Sequence, residues 1–187
     1  MNIFVMLRML FCSTSVSAEL ASHGSPIRNV FWAVSMPLSL LPPTMLALLD
    51  GPLSTLLPVL QIRSSGLMAS LFFGGEVLSV FLMGWLIKQV ASTLGHYVTY
   101  ADAYLVAAIA PIPLWLSSLG LLVNNPFLNT ALPLSALAAC CGLIYQGAYS
   151  LCHVEDSLKA AAVTQAVFGA CLILWAMFLP LFWSVMG

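Results

Sequence analysis

The chain has 187 residues, of which 61% are hydrophobic and only 11 are charged, 5 Lys+Arg and 6 Asp+Glu, far below the roughly 25% charged fraction of a soluble domain. A mean hydropathy of +1.05 excludes a soluble globular protein, describes a polytopic membrane protein and leaves no room for a second folded domain. A net charge of -1 with no run of Lys or Arg excludes nucleic acid as a partner and a polybasic lipid-binding arm.

Residues 1–28 form a first, short region. Met1 to Cys12 is apolar apart from Asn2 and Arg8, and Val16-Ser17-Ala18 has the small residues of a cleavage site. No positive charge precedes the apolar run, however, and Arg8 interrupts it, which does not fit a signal peptide. The segment reads as a helix lying in the membrane interface, followed by a connector holding Glu19, His23 and Arg28.

Residues 29–187 form the membrane domain. A spanning helix needs about 20 apolar residues, because each rises about 1.5 Å through a core about 30 Å thick. Five stretches qualify: Asn29 to Leu49, Ser64 to Ile87, Ala101 to Val123, Phe127 to Ser150, and Ala160 to Val185. The fold class is therefore all-α, a bundle of five transmembrane helices. If the amino terminus is cytoplasmic, Arg8, Arg28, Lys88 and Lys159 lie inside and Arg63 alone lies outside. That division favours an inside amino terminus. Trp32, Trp85, Tyr97, Tyr100 and Trp183 fall near predicted helix ends, where amphipathic rings anchor at headgroup level.

The first span contains Pro37, Pro42 and Pro43, and the third contains Pro111 and Pro113. Each proline removes a backbone donor, so both spans are expected to bend or break. Pro133 stands in the fourth. Broken spans can build transporter sites or simply improve packing, and the absence of a detectable inverted repeat favours packing.

The second span carries Gly66, Ser70 and Gly74 at four-residue spacing, with Gly75 and Ser79 one position around the helix. Such ladders let helix backbones approach closely in lipid, which predicts a central position for this span. At its midpoint stands Glu76, an ionisable side chain costing a few kcal/mol at that depth unless neutral, paired or hydrated. It is either a proton- or cation-handling carboxylate or a neutral acid hydrogen-bonded within the bundle. Asp102, a second acidic candidate near the start of the third span, can cap its helix or pair with Lys88. Asn124-Asn125-Pro126 joins the third and fourth spans so tightly that they must be antiparallel neighbours.

Cys152, His153, Glu155 and Asp156 precede the last span. Their spacing matches no zinc pattern, and the acids read as the first turn of a helix. The five cysteines, at 12, 140, 141, 152 and 171, form no CxxC pair, and at least three lie in apolar segments, where cysteine usually behaves as a small hydrophobe. His96 is a loop histidine. No phosphate-binding glycine loop, nucleophile elbow or H-E-x-x-H motif is present, so neither a cofactor, nor a metal, nor catalysis is expected.

Several local patterns carry a resemblance. They are Met36-Pro-Leu-Ser-Leu-Leu-Pro-Pro43 in the first span, Tyr100-Ala-Asp-Ala-Tyr104 followed by Ala110-Pro-Ile-Pro113 in the third, and Leu143-Ile-Tyr-Gln-Gly147 in the fourth. With the Lys-Ala-Ala-Ala start at Lys159, they cover roughly residues 27 to 185. Together with the five-span layout, the chain resembles the Yip1 family, and its short bacterial inner-membrane members in particular. The resemblance implies a five-helix bundle in a bacterial inner membrane. It also implies kinship with eukaryotic members linked to vesicle trafficking and small GTPases, from which this chain departs in having only about 28 residues before the first span.

Two functions remain open. The first is a non-enzymatic membrane protein that binds other integral membrane proteins, itself or lipids, as an accessory subunit of a larger assembly. The alternative is a small transporter or proton/ion-conducting protein built around Glu76.

Overall fold

The structure is a computed structural model that describes residues 27–50, 66–123, 125–152, 154 and 156–186. The interfacial helix expected within residues 1–28 falls almost entirely outside these. All regular structure among the described residues is helical.

The first predicted span is not one helix. It runs as α1 (Ile27–Val30), a π-helix (Phe31–Ser35), α2 (Met36–Ser39) and, after Leu40, α3 (Leu41–Asp50). The prolines explain the pieces. The ring of Pro37 would press on the carbonyl four residues earlier in a regular helix, and the wider π-turn preceding it, closed by Met36 N–H donating to the Phe31 carbonyl, relieves that conflict. Pro42 and Pro43 occupy the first turn of α3, where backbone donors have no intrahelical partner and a missing N–H costs nothing.

α4 (Gly66–Thr93) is a single 28-residue helix. It outruns the predicted end at Ile87, because Lys88, Gln89, Ser92 and Thr93 are polar but still helix-compatible, and stops at Gly95, whose φ of 84° suits glycine at a helix C-terminus. The third span divides into α5 (Tyr100–Ile109), α6 (Ile112–Ser117) and a 3₁₀ segment (Ser118–Leu122), with the break at Ala110-Pro111. α7 (Pro126–Ser150) and α8 (Ser157–Met186) are continuous despite Pro133 and Pro180. Four helices are long and apolar enough to cross a membrane, within Ala69–Thr93, Tyr100–Leu122, Pro126–Ser150 and Ser157–Phe178. The interrupted run from Ile27 to Asp50 is not among them, since no piece of it reaches spanning length.

The most enclosed helix of the bundle is α5, while α4 packs against α5, α8, α3 and α2. Every residue from Ala103 to Ile109 is buried, the pattern of a helix apolar all round. α4, α7 and the α1–π run all pack on it, and α8 lies against α4 and α7. Small residues set the approach: a Cβ added to Gly84 of α4 would stand 3.2 Å from the Tyr104 Cα, and one on Gly147 of α7 would stand 2.5 Å from Val106 Cγ1. The small residues of the predicted ladder are placed differently. Gly75 is buried beside the Phe178 ring, whereas Ser70 and Gly74 are exposed and a Cβ on Gly74 would meet nothing within 4 Å.

The loops are closed by capping groups. Asn125 accepts from the N–H groups of Phe127 and Leu128 at 3.0 and 3.3 Å, which opens α7 immediately after the third span. The Lys159 ammonium donates to the Leu94 carbonyl at 3.4 Å, placing a cation on the C-terminal end of α4, where the helix dipole favours it.

Candidate functional site

The most polar place within the bundle lies between the first three helical runs. Four polar side chains there or nearby are buried: Ser35 (1% exposed), Ser39 (0%), Glu76 (5%) and Thr164 (5%). Thr164 is satisfied by its own helix, donating to the Ala160 carbonyl at 2.8 Å, and Ser39 donates to the Met36 carbonyl at 3.2 Å. The other two are less fully served.

Glu76 is carried by α4 and turned toward α6. The Trp115 indole N–H faces its carboxyl, while Glu76 Oε2 is buried with no partner. Trp115 is itself buried (2% exposed) and reaches this position because the helix restarts after Pro111, with its backbone N–H bonded to the Pro111 carbonyl at 3.0 Å. A proline break that looks like a local defect thus aims the one strong donor met by the buried acid. Ser79, one turn along α4, donates to the Glu76 backbone carbonyl at 2.7 Å and does not serve its carboxyl.

One helical level away, the hydroxyls of Ser35 and Tyr104 are turned toward each other without closing a hydrogen bond. Tyr104 is fully buried within a line of rings, 5.2 Å from Phe81 and 6.1 Å from Tyr100, and Phe81 in turn lies 5.6 Å from Phe31. Tyr100 donates to the Phe81 carbonyl at 3.3 Å, so it is held against α4. Trp32, Trp85 and Tyr97 are exposed, at 62%, 51% and 93%.

The two acidic candidates are not brought together. Asp102 is in the first turn of α5, where the Thr99 hydroxyl donates to its carboxylate and accepts from its backbone N–H at 3.2 Å, a reciprocal cap. Glu76 meets Trp115, which is 115 − 102 = 13 positions further along the span, roughly 20 Å at 1.5 Å per residue. No ion pair joins Asp102 to Lys88 among the described residues.

The acid-rich loop before α8 contains His153 and Glu155, which lie outside the described residues. Asp156 accepts from Leu158 N–H at 2.9 Å, capping α8. No group of three metal-ligating side chains occurs among the described residues, and Cys140, Cys141, Cys152 and Cys171 are free thiols. Burial pushes the Cys152 thiol up to about 12, with the Asp102 charge adding to the effect; a thiol so held is inert.

Ser35, Ser39, Tyr104 and Trp115 escaped the reading of the sequence as site residues. Ser35 and Ser39, four apart in an apolar span, were a legible sign of one polar helix face. Trp115 carried no such sign, since only the break at Pro111 turns it toward α4.

A family model described as the Yip1 domain matches residues 7–178. No curated protein and no solved structure matches the chain.

Proposed function

This chain belongs to the Yip1 family, and from that premise we propose that it is a non-enzymatic integral membrane protein that binds other integral membrane proteins or lipids, as an accessory subunit of a larger assembly. The observation that carries the reading is the outward face of α4. Ser70 and Gly74 are exposed, and the space above Gly74 is open; small residues on a lipid-facing helix admit the close approach of another helix. The spans of α7 and α8 add to it, with only 17% of each buried within the chain.

A fifth crossing by residues 27–50 belongs to this reading. Those 24 positions extend about 36 Å at 1.5 Å per residue, enough for the hydrocarbon core, and the run packs along α4, α5 and α6. Lys159 reaching Leu94 gathers Lys88 and Lys159 at one end of the bundle, which supports a cytoplasmic side there and an inside amino terminus. Conduction through Glu76 is not favoured: the residue is 5% exposed and its carboxyl faces the Trp115 indole.

The test is gentle solubilisation from the native membrane, with mass spectrometry of what co-purifies in stoichiometric amount. A protein or lipid should be retained by the parent chain, lost from S70L and G74L, and kept by E76Q. Retention unchanged in both leucine variants, or a parent that carries nothing, removes the proposal.

A further inference from the structure

The turn between the third and fourth spans closes its polar groups on itself. Val123 N–H donates to the Gly120 carbonyl at 3.0 Å, Asn125 N–H to the Val123 carbonyl at 2.8 Å and Asn129 N–H to the Asn125 carbonyl at 3.0 Å, while the Asn129 side-chain amide donates to the Val123 carbonyl at 3.2 Å. Asn125 takes up the N–H groups of Phe127 and Leu128, and Pro126 has none to satisfy. The nearby hydroxyls are held in the same way: Ser117 and Ser118 donate to the Leu114 and Trp115 carbonyls at 2.7 and 2.6 Å, and Thr130 to the Pro126 carbonyl at 2.9 Å. Apolar side chains face outward instead. Leu122, Val123 and Phe127 are 53%, 52% and 80% exposed, and no charged residue stands between Asp102 and Glu155 in the sequence. The opposite end of the bundle bears Lys88, Asp102, Asp156 and Lys159.

Polar groups satisfied within the turn and apolar groups outside it suit hydrocarbon, not water. Continuity with α7 says what covers this tip. Phe127 and Leu134, the latter 61% exposed, are seven positions apart, two helical turns, and so share one face; only 17% of this span is buried within the chain. Phe127 therefore carries the lipid-facing side of a membrane span into the turn. Length sets the depth. The 25 residues of α7 reach about 37 Å at 1.5 Å each, more than a hydrocarbon core of about 30 Å, and the exposed Gln146 and Tyr149 lie near its far end. The excess falls there, which keeps the turn at the boundary of the acyl chains.

We infer that the turn between the third and fourth spans is a lipid-contact site, with Leu122, Val123 and Phe127 among the acyl chains just beneath the headgroups and Asn125 at headgroup level. A protein partner reaches this tip through the lipid and not from water. The inference rests on the membrane-spanning helices and is independent of the accessory role proposed above.

The experiment places the photo-crosslinking residue p-benzoylphenylalanine at Phe127, at Val123 and, for comparison, at the exposed Ser157 beside the charges of the opposite end, each in the full chain in phosphatidylcholine liposomes. Irradiation should attach phospholipid at positions 127 and 123 severalfold more than at 157. Alkaline hydrolysis of the adducts should leave a fatty acid on the peptide, since the chains and not the headgroups are what these side chains touch. A thermal midpoint equal to the parent's shows that a substituted chain is folded, and the two tip positions serve independently of each other. Lipid attachment no greater than at Ser157 overturns the inference, and so does an adduct that keeps the phosphocholine and loses the fatty acid. Cross-linking to a second copy that persists on dilution with lipid overturns it as well, because protein then covers the tip. None of these outcomes alters what co-purifies with the parent chain, so the accessory reading is judged separately.

Discussion

The third span and the last span are almost equally apolar, yet half of the window Tyr100–Leu122 is buried within the chain and only 17% of Ser157–Phe178 is. Apolarity tells which segments leave water. It does not tell which of them leave lipid. In a bilayer the exposed face of a helix is as hydrophobic as the buried one, so the interior is marked instead by side-chain size and by backbone interruption. α5 has Ala103, Ala107 and Ala108, all fully buried, and ends at a proline break. α8 runs unbroken for 30 residues and turns Leu172, Ile173 and Met177 outward, at 46%, 65% and 72% exposure.

The sharpest way to break this contrast is a bulky residue at matched glycines. G147L forces a side chain into Val106, already 2.5 Å from a bare Cβ, and is expected to cost about 3 kcal/mol by overpacking. G169L, where the space is open, should change the stability of the monomer by less than about 0.5 kcal/mol. Thermal unfolding in detergent measures both; equal losses would mean that the interior has been assigned to the wrong helix.

Next in size is the acid that joins the broken third span to α4. E76L takes the carboxyl away from the Trp115 N–H that faces it, a loss of about 1–3 kcal/mol, whereas E76Q keeps an acceptor of the same length and should lose less than about 1 kcal/mol. Equal destabilisation by the two variants would show that the approach of the acid to Trp115 contributes nothing. At the edge of the bundle, K159M removes a cation from the C-terminal end of α4 and should cost about 0.3–1 kcal/mol, less in high salt, by the same assay.

The smallest effect is chemical. With its thiol pushed up to about 12 by burial, Cys152 remains protonated at pH 8, and a maleimide should modify it at least ~100-fold more slowly than a free cysteine. Unfolding restores the ordinary rate. Prompt labelling of the folded protein, located by peptide mapping, would place the α7–α8 loop outside the core.

The contrast also shows how far sequence reading reaches. The apolar runs marked out the four helices long enough to cross a membrane, and the prolines marked where helices are interrupted, because each of these signals is local. The enclosure of α5 was not read. The glycine–serine ladder pointed to α4, yet Ser70 and Gly74 of that ladder face outward, and the contacts that bury α5 come from Gly84 and Gly147, neither of them part of a four-residue repeat. Glu76 stood out as an anomaly of depth, but its partner Trp115 lies 39 positions later, 115 − 76, and meets it through a change of helix direction that no periodicity encodes.

The π-turn at Phe31–Ser35 bears on how this segment tolerates changes of length. A π-turn holds one residue more than an α-turn, so a single deletion within it can be absorbed by reversion to ordinary α-helix. Elsewhere in a helix such a deletion rotates everything on one side of it by about 100° relative to the other, carrying buried residues to the surface. Among homologous chains, a one-residue gap in the first helical run should therefore fall within these five positions, and the faces bearing Val30 and Ser39 should keep their orientation across it.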